Sequence, residues 1–174
     1  MLTFSELYES YAADVYRFAF WLAGDQQEAE DITSETFIRA WVNRAKIRTE
    51  TLKAYLLAIA RNVFLQQKRK QRRQVALEDV YADPGPGPDR QIEDQATLAN
   101  VQKTLQSLPE VDRTAFVLRV QHELPYAEIA RVLGLSLANA KVKVHRVRRK
   151  LLDARPETAR HPVRNRSGSS QRGG

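Results

Sequence analysis

Asp31 and Glu35 are the first pair of side chains in this chain whose types and spacing could do chemistry. Four residues apart on a helix they lie side by side and could share a metal ion. No histidine is near them in sequence, and His122, His145 and His161 lie scattered without ligating companions. With no cysteine in the chain, disulfides and thiolate chemistry are excluded. A metal-dependent nuclease would need clustered carboxylates or histidine–metal spacing, and neither is present; no metal or cofactor is expected. What remains is the chemistry of charge. The net charge of +7 and a pI near 9.9 point to a polyanionic partner, nucleic acid before an anionic membrane surface.

The cations concentrate where the chain has its clearest local pattern, Leu124 to Leu151. Tyr126, Ile129, Ala130 and Leu133 form one apolar helical face. Pro125 suits the first position of that helix, Gly134 its left-handed end, and Ser136 the cap of the next helix. Leu137, Ala140, Val144, Val147 and Leu151 make a second seam. Asn139, Lys143, His145, Arg146 and Arg149 lie opposite it, flanked by Lys141, Arg148 and Lys150, with no acid between Ser136 and Leu151. A solvated basic helix in an ordinary bundle would show the charges without the turn. With the turn residues in place, the pattern is that of a helix-turn-helix reading the major groove.

These elements predict an all-α protein: two small helical domains joined by a flexible linker, the second ending in the helix-turn-helix. The first domain spans residues 1–74. Thr3 and Glu6 form a capping box for a helix carrying Phe4, Leu7, Tyr8, Tyr11, Val15, Phe18 and Leu22 inward. Asp25 caps a second helix through Val42, with Ala29, Thr33, Thr36, Phe37 and Ala40 inside and Asp31, Glu35, Ile38 and Val42 outside. A mixed acidic and apolar outer stripe suits a partner helix; ordinary solvated acids beside a packed Ile38 are the alternative. A third helix runs from Leu52 to about Arg73 and ends in Lys68, Arg69, Lys70, Arg72 and Arg73, a charged helix end or a phosphate contact. Residues 75–91, acidic and alternating Pro with Gly, read as the linker. The second domain, residues 92–154, opens with Ile92, Leu98, Val101, Leu105 and Leu108 inward, then a helix after Pro109 with Val111, Ala115, Phe116 and Val120 inward. Residues 155–174 read as a disordered basic tail. No apolar run is long enough to span a membrane, and the acids near the N-terminus do not suit a signal peptide. The chain therefore reads as soluble and intracellular.

Three stretches in this order, residues 29–41, 52–64, and 108–119 together with the helix-turn-helix of 124–151, resemble the sigma factors of bacterial RNA polymerase. The size, with regions 2 and 4 alone, is similar to the extracytoplasmic-function class. The resemblance implies a non-enzymatic, cytoplasmic factor that binds core RNA polymerase, directs it to promoters through −35 and −10 elements, and helps open the DNA. Asp31, Ser34, Glu35, Ile38 and Trp41 would meet the clamp helices of the largest polymerase subunit, and the second domain the flap region. Ser34 departs from the Gln usual in the family. Ile47, Arg48, Thr49, Glu50 and Thr51 match the loop that captures a flipped −10 base. Tyr55, Arg61 and Asn62, with Lys68 and Arg69 beyond, match the helix lying along that strand. The acidic linker would thread the RNA exit channel. Ser136, Asn139, Lys141, Val142, Lys143, His145, Arg146, Arg148 and Arg149 would meet the −35 duplex, with Asn139, Lys143 and Arg146 near base edges. An anti-sigma factor is an implied partner, and membrane contact is expected only through a membrane-bound one. The alternative reading is a stand-alone helix-turn-helix regulator, which would leave the outer Asp31/Glu35 stripe and the loop unexplained.

Overall fold

The computed structural model describes residues 1–47, 51–77 and 93–154, and the described residues form seven α-helices and no strand. The first group is α1 (Phe4–Ala23), α2 (Gln26–Val42) and α3 (Leu52–Leu77); the second is α4 (Glu93–Gln106), α5 (Glu110–Val120), α6 (Tyr126–Leu133) and α7 (Leu137–Asp153). The capping box of α1 forms as expected: the Glu6 amide donates to Thr3 Oγ1 at 3.2 Å, and the Thr3 amide donates to Glu6 at 2.7 Å. Gly24 ends α1 at φ 70°, and Asp25 caps α2 by accepting from the Glu28 amide at 2.8 Å.

Burial follows the predicted seams with local differences. Ile32, Ala54 and Leu57 join the expected inner residues of α2 and α3. Thr33 and Thr36 sit inside α2 because each hydroxyl donates back to a carbonyl one turn earlier, Ala29 at 2.7 Å and Ile32 at 2.6 Å. Phe4 and Tyr8 are partly exposed instead of buried, because they stack along the edge of α2 against Trp41 and Phe37. Leu98 and Val120 are also exposed. They line the rim of an apolar cleft with Trp21, Val101, Phe116 and Leu151. Leu137 is exposed at the first turn of α7, ahead of the point where the seam meets α5. The third helix runs past Arg73 to Leu77, since nothing between Arg73 and Leu77 breaks a helix. Residues 75–77 thus belong to α3, while the rest of the expected linker, 78–91, the expected inner residue Ile92 and the tail after Ala154 lie outside the described residues.

The two groups do not keep separate cores. One buried cluster runs from Leu7, Phe18, Leu56 and Val63 into Leu118, Leu124, Ile129 and Val144, with α5 against α1 and α6 against α3. The carbonyls at the C-terminal end of α1, which no helical amide can satisfy, accept from Gln106 of α4: its Nε2 donates to Trp21 at 3.1 Å and Leu22 at 3.2 Å. Arg113 is buried beneath the Phe64 ring at 5.9 Å. His122 lies edge-on to Phe18 with ring centroids 5.7 Å apart, and neither ring nitrogen has a hydrogen-bond partner among the described residues.

Burial, the nearby Lys53 ammonium and Arg17 depress the His122 pKa to about 4, with Asp14 opposing. A histidine held neutral in the fold contributes stability that is complete above its unfolded value near 6.5 and is lost as pH falls toward 4. The loss is on the order of 3 kcal/mol between pH 7 and 4. His122→Leu keeps a similar volume and removes the titration. Thermal melts across that range should show a shallower acid loss in the variant and, near pH 7, equal or higher stability; parallel curves would show that His122 does not carry the effect.

Candidate nucleic-acid interface

The turn between α6 and α7 forms from the residues its geometry demands. Gly134 takes φ 65° and ψ 37°, the Leu135 amide donates to the Ala130 carbonyl at 2.9 Å, and Ser136 caps α7 by accepting from the Asn139 amide at 3.2 Å. Ala140, Val144 and Val147 are buried against the second group, which turns the opposite side of α7 outward. Asn139, Lys141, Val142, His145, Arg146, Arg148 and Arg149 are all exposed. Six of these seven, all but Asn139, line an open cleft of about 600 Å³ with Tyr126. Tyr126 was expected only as a core position. Its ring lies under Arg119 at 4.3 Å and Lys141 at 5.9 Å, so it orients cations on the outer face.

Lys143 departs from the expected outward placement. Its ammonium donates to Asp112 of α5 at 2.7 Å, with only 25% and 11% of the two side chains exposed. A carboxylate behind α7 has drawn this cation toward the body, leaving Asn139 and Arg146 as the outward members of the three residues expected near base edges. Asp112 was not anticipated, because only the packing of α5 on α7 brings it there.

On α2, Asp31, Ser34 and Ile38 are exposed and Glu35 is half-buried. These four line an open cleft of about 480 Å³ with Arg39 and the α3 residues Val63, Gln66 and Lys70. Gln27 donates to Asp31 at 3.2 Å and Arg39 to Glu35 at 2.6 Å. Trp41 is half-buried at the end of the stripe, edge-on to Phe4 at 5.6 Å and under Arg44 at 4.5 Å.

The residues expected along the single strand divide between two faces of α3. Tyr55, Asn62 and Arg69 line one groove of about 250 Å³ with Arg39, Asn43 and Gln66. Gln66 could have been read from its helical spacing to Asn62 and Arg69; Arg39 and Asn43 arrive from α2 only through packing. Arg61 points the other way. Its Nε and Nη2 donate to the two Glu110 oxygens at 2.7 and 3.0 Å across the junction of the groups. Burial acts to raise the Glu110 pKa, but the hydrogen bonds from Arg61 and Thr114 outweigh it and hold the carboxyl below its usual range. Lys68 donates to Glu28 at 3.3 Å. Ile47 is half-buried against the core, Thr51 precedes α3, and Arg48, Thr49 and Glu50 lie outside the described residues. His145 has no metal-ligating companions, and no group of three such side chains occurs among the described residues.

Comparison with known proteins matches both helical groups to sigma factors. The family model for sigma-70 region 2 matches residues 7–74, and that for sigma-70 region 4 matches residues 98–151. The ECF RNA polymerase sigma factor SigM of Bacillus subtilis is 31% identical over 155 residues, 86% of this chain and 93% of that protein. SigE of Mycolicibacterium smegmatis, another ECF RNA polymerase sigma factor, is 35% identical over 158 residues. That alignment takes in 88% of this chain but 62% of SigE, so the chain spans less than two thirds of that relative. Among solved structures, the sigma factor RpoE in complex with the anti-sigma factor NepR from Bartonella quintana matches with a TM-score of 0.73 at 26% identity. The match covers 87% of this chain and 95% of that one.

The contrast between Lys143 and Arg146 is testable by duplex binding to a panel of single-base variants of the bound site. Arg146→Ala should weaken binding by about 1–3 kcal/mol and relax the preference at one base position. Lys143→Met should leave affinity and preference nearly unchanged and instead cost about 2 kcal/mol of stability, because Asp112 stays behind without its partner. An equal loss of base preference in both variants would return Lys143 to the base edges.

Proposed function

This chain belongs to the extracytoplasmic-function sigma factors of bacterial RNA polymerase, and from that premise we propose that it binds core polymerase through the outer face of α2 and reads promoters with α3 and α7. The observation that carries this reading is the stripe of Asp31, Ser34 and Ile38, exposed beside half-buried Glu35, with Ile38 at 56% exposure. A large apolar side chain flanked by acids gains nothing from water; it gains from an apolar and basic partner helix. That partner is the pair of clamp helices on the largest polymerase subunit, with Trp41 closing the stripe and Ser34 offering a short hydroxyl beside it.

Residues 1–74 form the polymerase and −10 unit, and residues 92–154 the −35 unit, which also meets the polymerase flap. In the second, Asn139 and Arg146 face base edges while Lys141, Arg148 and Arg149 hold phosphates. Ser136 fixes the entry of α7, and Val142 and His145 fill the groove between the cations. In the first, Tyr55, Asn62 and Arg69 follow the −10 strand, with residues 47–51 holding a flipped base and Lys68 near its backbone. Separating a base-pair step costs about 1.4 kcal/mol on average, and stacking one base on an aromatic ring returns about 1–3 kcal/mol. Binding energy of that size opens DNA without covalent chemistry, so the chain needs no catalytic residue and acts in the cytoplasm. An anti-sigma factor is its natural antagonist, since NepR binds the structurally similar RpoE.

Co-purification with sigma-free core polymerase tests the reading. The wild-type chain should bind stoichiometrically, and Asp31→Ala/Glu35→Ala should lose tenfold or more in affinity. Transcripts from the reconstituted holoenzyme then define the promoter class. Binding of neither protein would favour a regulator acting on duplex DNA without polymerase.

A further inference from the structure

The outward face of α7 is cationic, yet an aliphatic side chain stands in the middle of it. Val142 is 45% exposed and lines the outward cleft with Lys141, His145, Arg146, Arg148 and Arg149. It comes three residues after Asn139 and four before Arg146, so the three share one stripe of the helix. The lysines on either side of it are engaged elsewhere. The Lys143 ammonium donates to Asp112 at 2.7 Å, and that of Lys141 sits over the Tyr126 ring at 5.9 Å. Val142 is left accessible between them. Resting on the reading above, in which Asn139 and Arg146 face base edges, we propose that Val142 selects a thymine by packing on its C5-methyl group.

Position and chemistry lead to the same base. At ~1.5 Å of rise per residue, Asn139 and Arg146 are ~10 Å apart along the helix axis. That is about three base-pair steps of ~3.4 Å. Val142 stands between them, about one turn from each, over the pairs between theirs. A valine has neither donor nor acceptor, so it cannot join the hydrogen-bond pattern of a base edge. Thymine alone among the four bases puts an apolar group in the major groove; the others present ring nitrogen, carbonyl or amino groups there. Against any of those, Val142 displaces water and returns no hydrogen bond, so it rejects as well as selects. Its branched Cβ leaves nearly a single rotamer in a helix, and docking costs it little freedom. The long cations around it reach phosphates and fix how α7 sits in the groove. An exposed valine is unremarkable by itself; its place in the row of reading side chains gives it a role.

Duplexes enriched by the full chain from a random-sequence pool supply the bound site, so the test needs no polymerase and stands apart from co-purification. Each thymine of that site, on either strand, is then replaced in turn by deoxyuridine, which removes the C5-methyl and nothing else. One such replacement should weaken wild-type binding about fourfold, the worth of one buried methyl. Cytosine at that position should weaken it by about tenfold or more. Val142→Ser leaves helix propensity nearly unchanged and offers a hydroxyl that suits any base edge. It should bind the thymine and deoxyuridine sites equally and tolerate the cytosine. Circular dichroism confirms that the variant is folded, and the deoxyuridine series on wild type stands without it. Three results overturn the Val142 contact while leaving α7 a base reader: an enriched site without thymine, no deoxyuridine that weakens wild-type binding, or a methyl dependence that survives in Val142→Ser. If the pool shows no base preference at any position, the assignment of α7 as a base reader fails, and the proposal with it.

Discussion

The constraint on which the rest of this structure depends is that α3 must serve three neighbours at once. A helix offers about one face to each surface it meets, and α3 gives Leu56, Val63 and Phe64 to the protein interior. Lys53 and Arg61 go to the second group. Tyr55, Asn62 and Arg69 remain along an open groove. Any slip of α3 about its axis would trade one of these for another. The long run of helix formers and the absence of a breaker before Leu77 keep the faces in register over 26 residues.

Charge is arranged to the same end. The protein is strongly basic, yet its acids are not spread evenly. Asp31 and Glu35 are gathered on the outer side of α2, where they and Ile38 make a surface distinct from everything around it. Glu110 and Asp112 sit in the first turn of α5, where the helix dipole favours negative charge, and each restrains a cation. From Leu137 to Leu152 α7 carries no acid, so that stretch of its outward face holds nothing that competes with phosphate. A cationic surface thus coexists with few buried charges: among the described residues Asp112 is buried with Lys143 as its partner, and Arg113 is buried under an aromatic ring with one carbonyl partner.

The helix-turn-helix shows how much of a functional surface is local. Pro125, Gly134 and Ser136 act through backbone conformation and a capping bond, so their roles could be read from spacing; only the detail that Pro125 stands just before α6 differs. The same holds for the Thr3–Glu6 box and the Asp25 cap. The outer stripe of α2 was visible because periodicity separates the faces of a helix regardless of what packs on it. Its partner could not be read from periodicity and came from the family resemblance.

The sequence by itself determined the seven helices, the capping residues of α1, α2 and α7, most of the apolar seams and the run of cations on α7, because each depends on residues within one or two turns. Tertiary structure alone decided that the two helical groups share one core, that Arg61 faces Glu110 while Tyr55 and Asn62 face a groove, and that Lys143 turns inward to Asp112. Those outcomes rest on contacts between residues 31 to 49 positions apart, and on His122 being driven against Phe18. Hydrophobic spacing says that a face will be buried; which charged neighbours it carries into the interface is fixed only when another helix arrives.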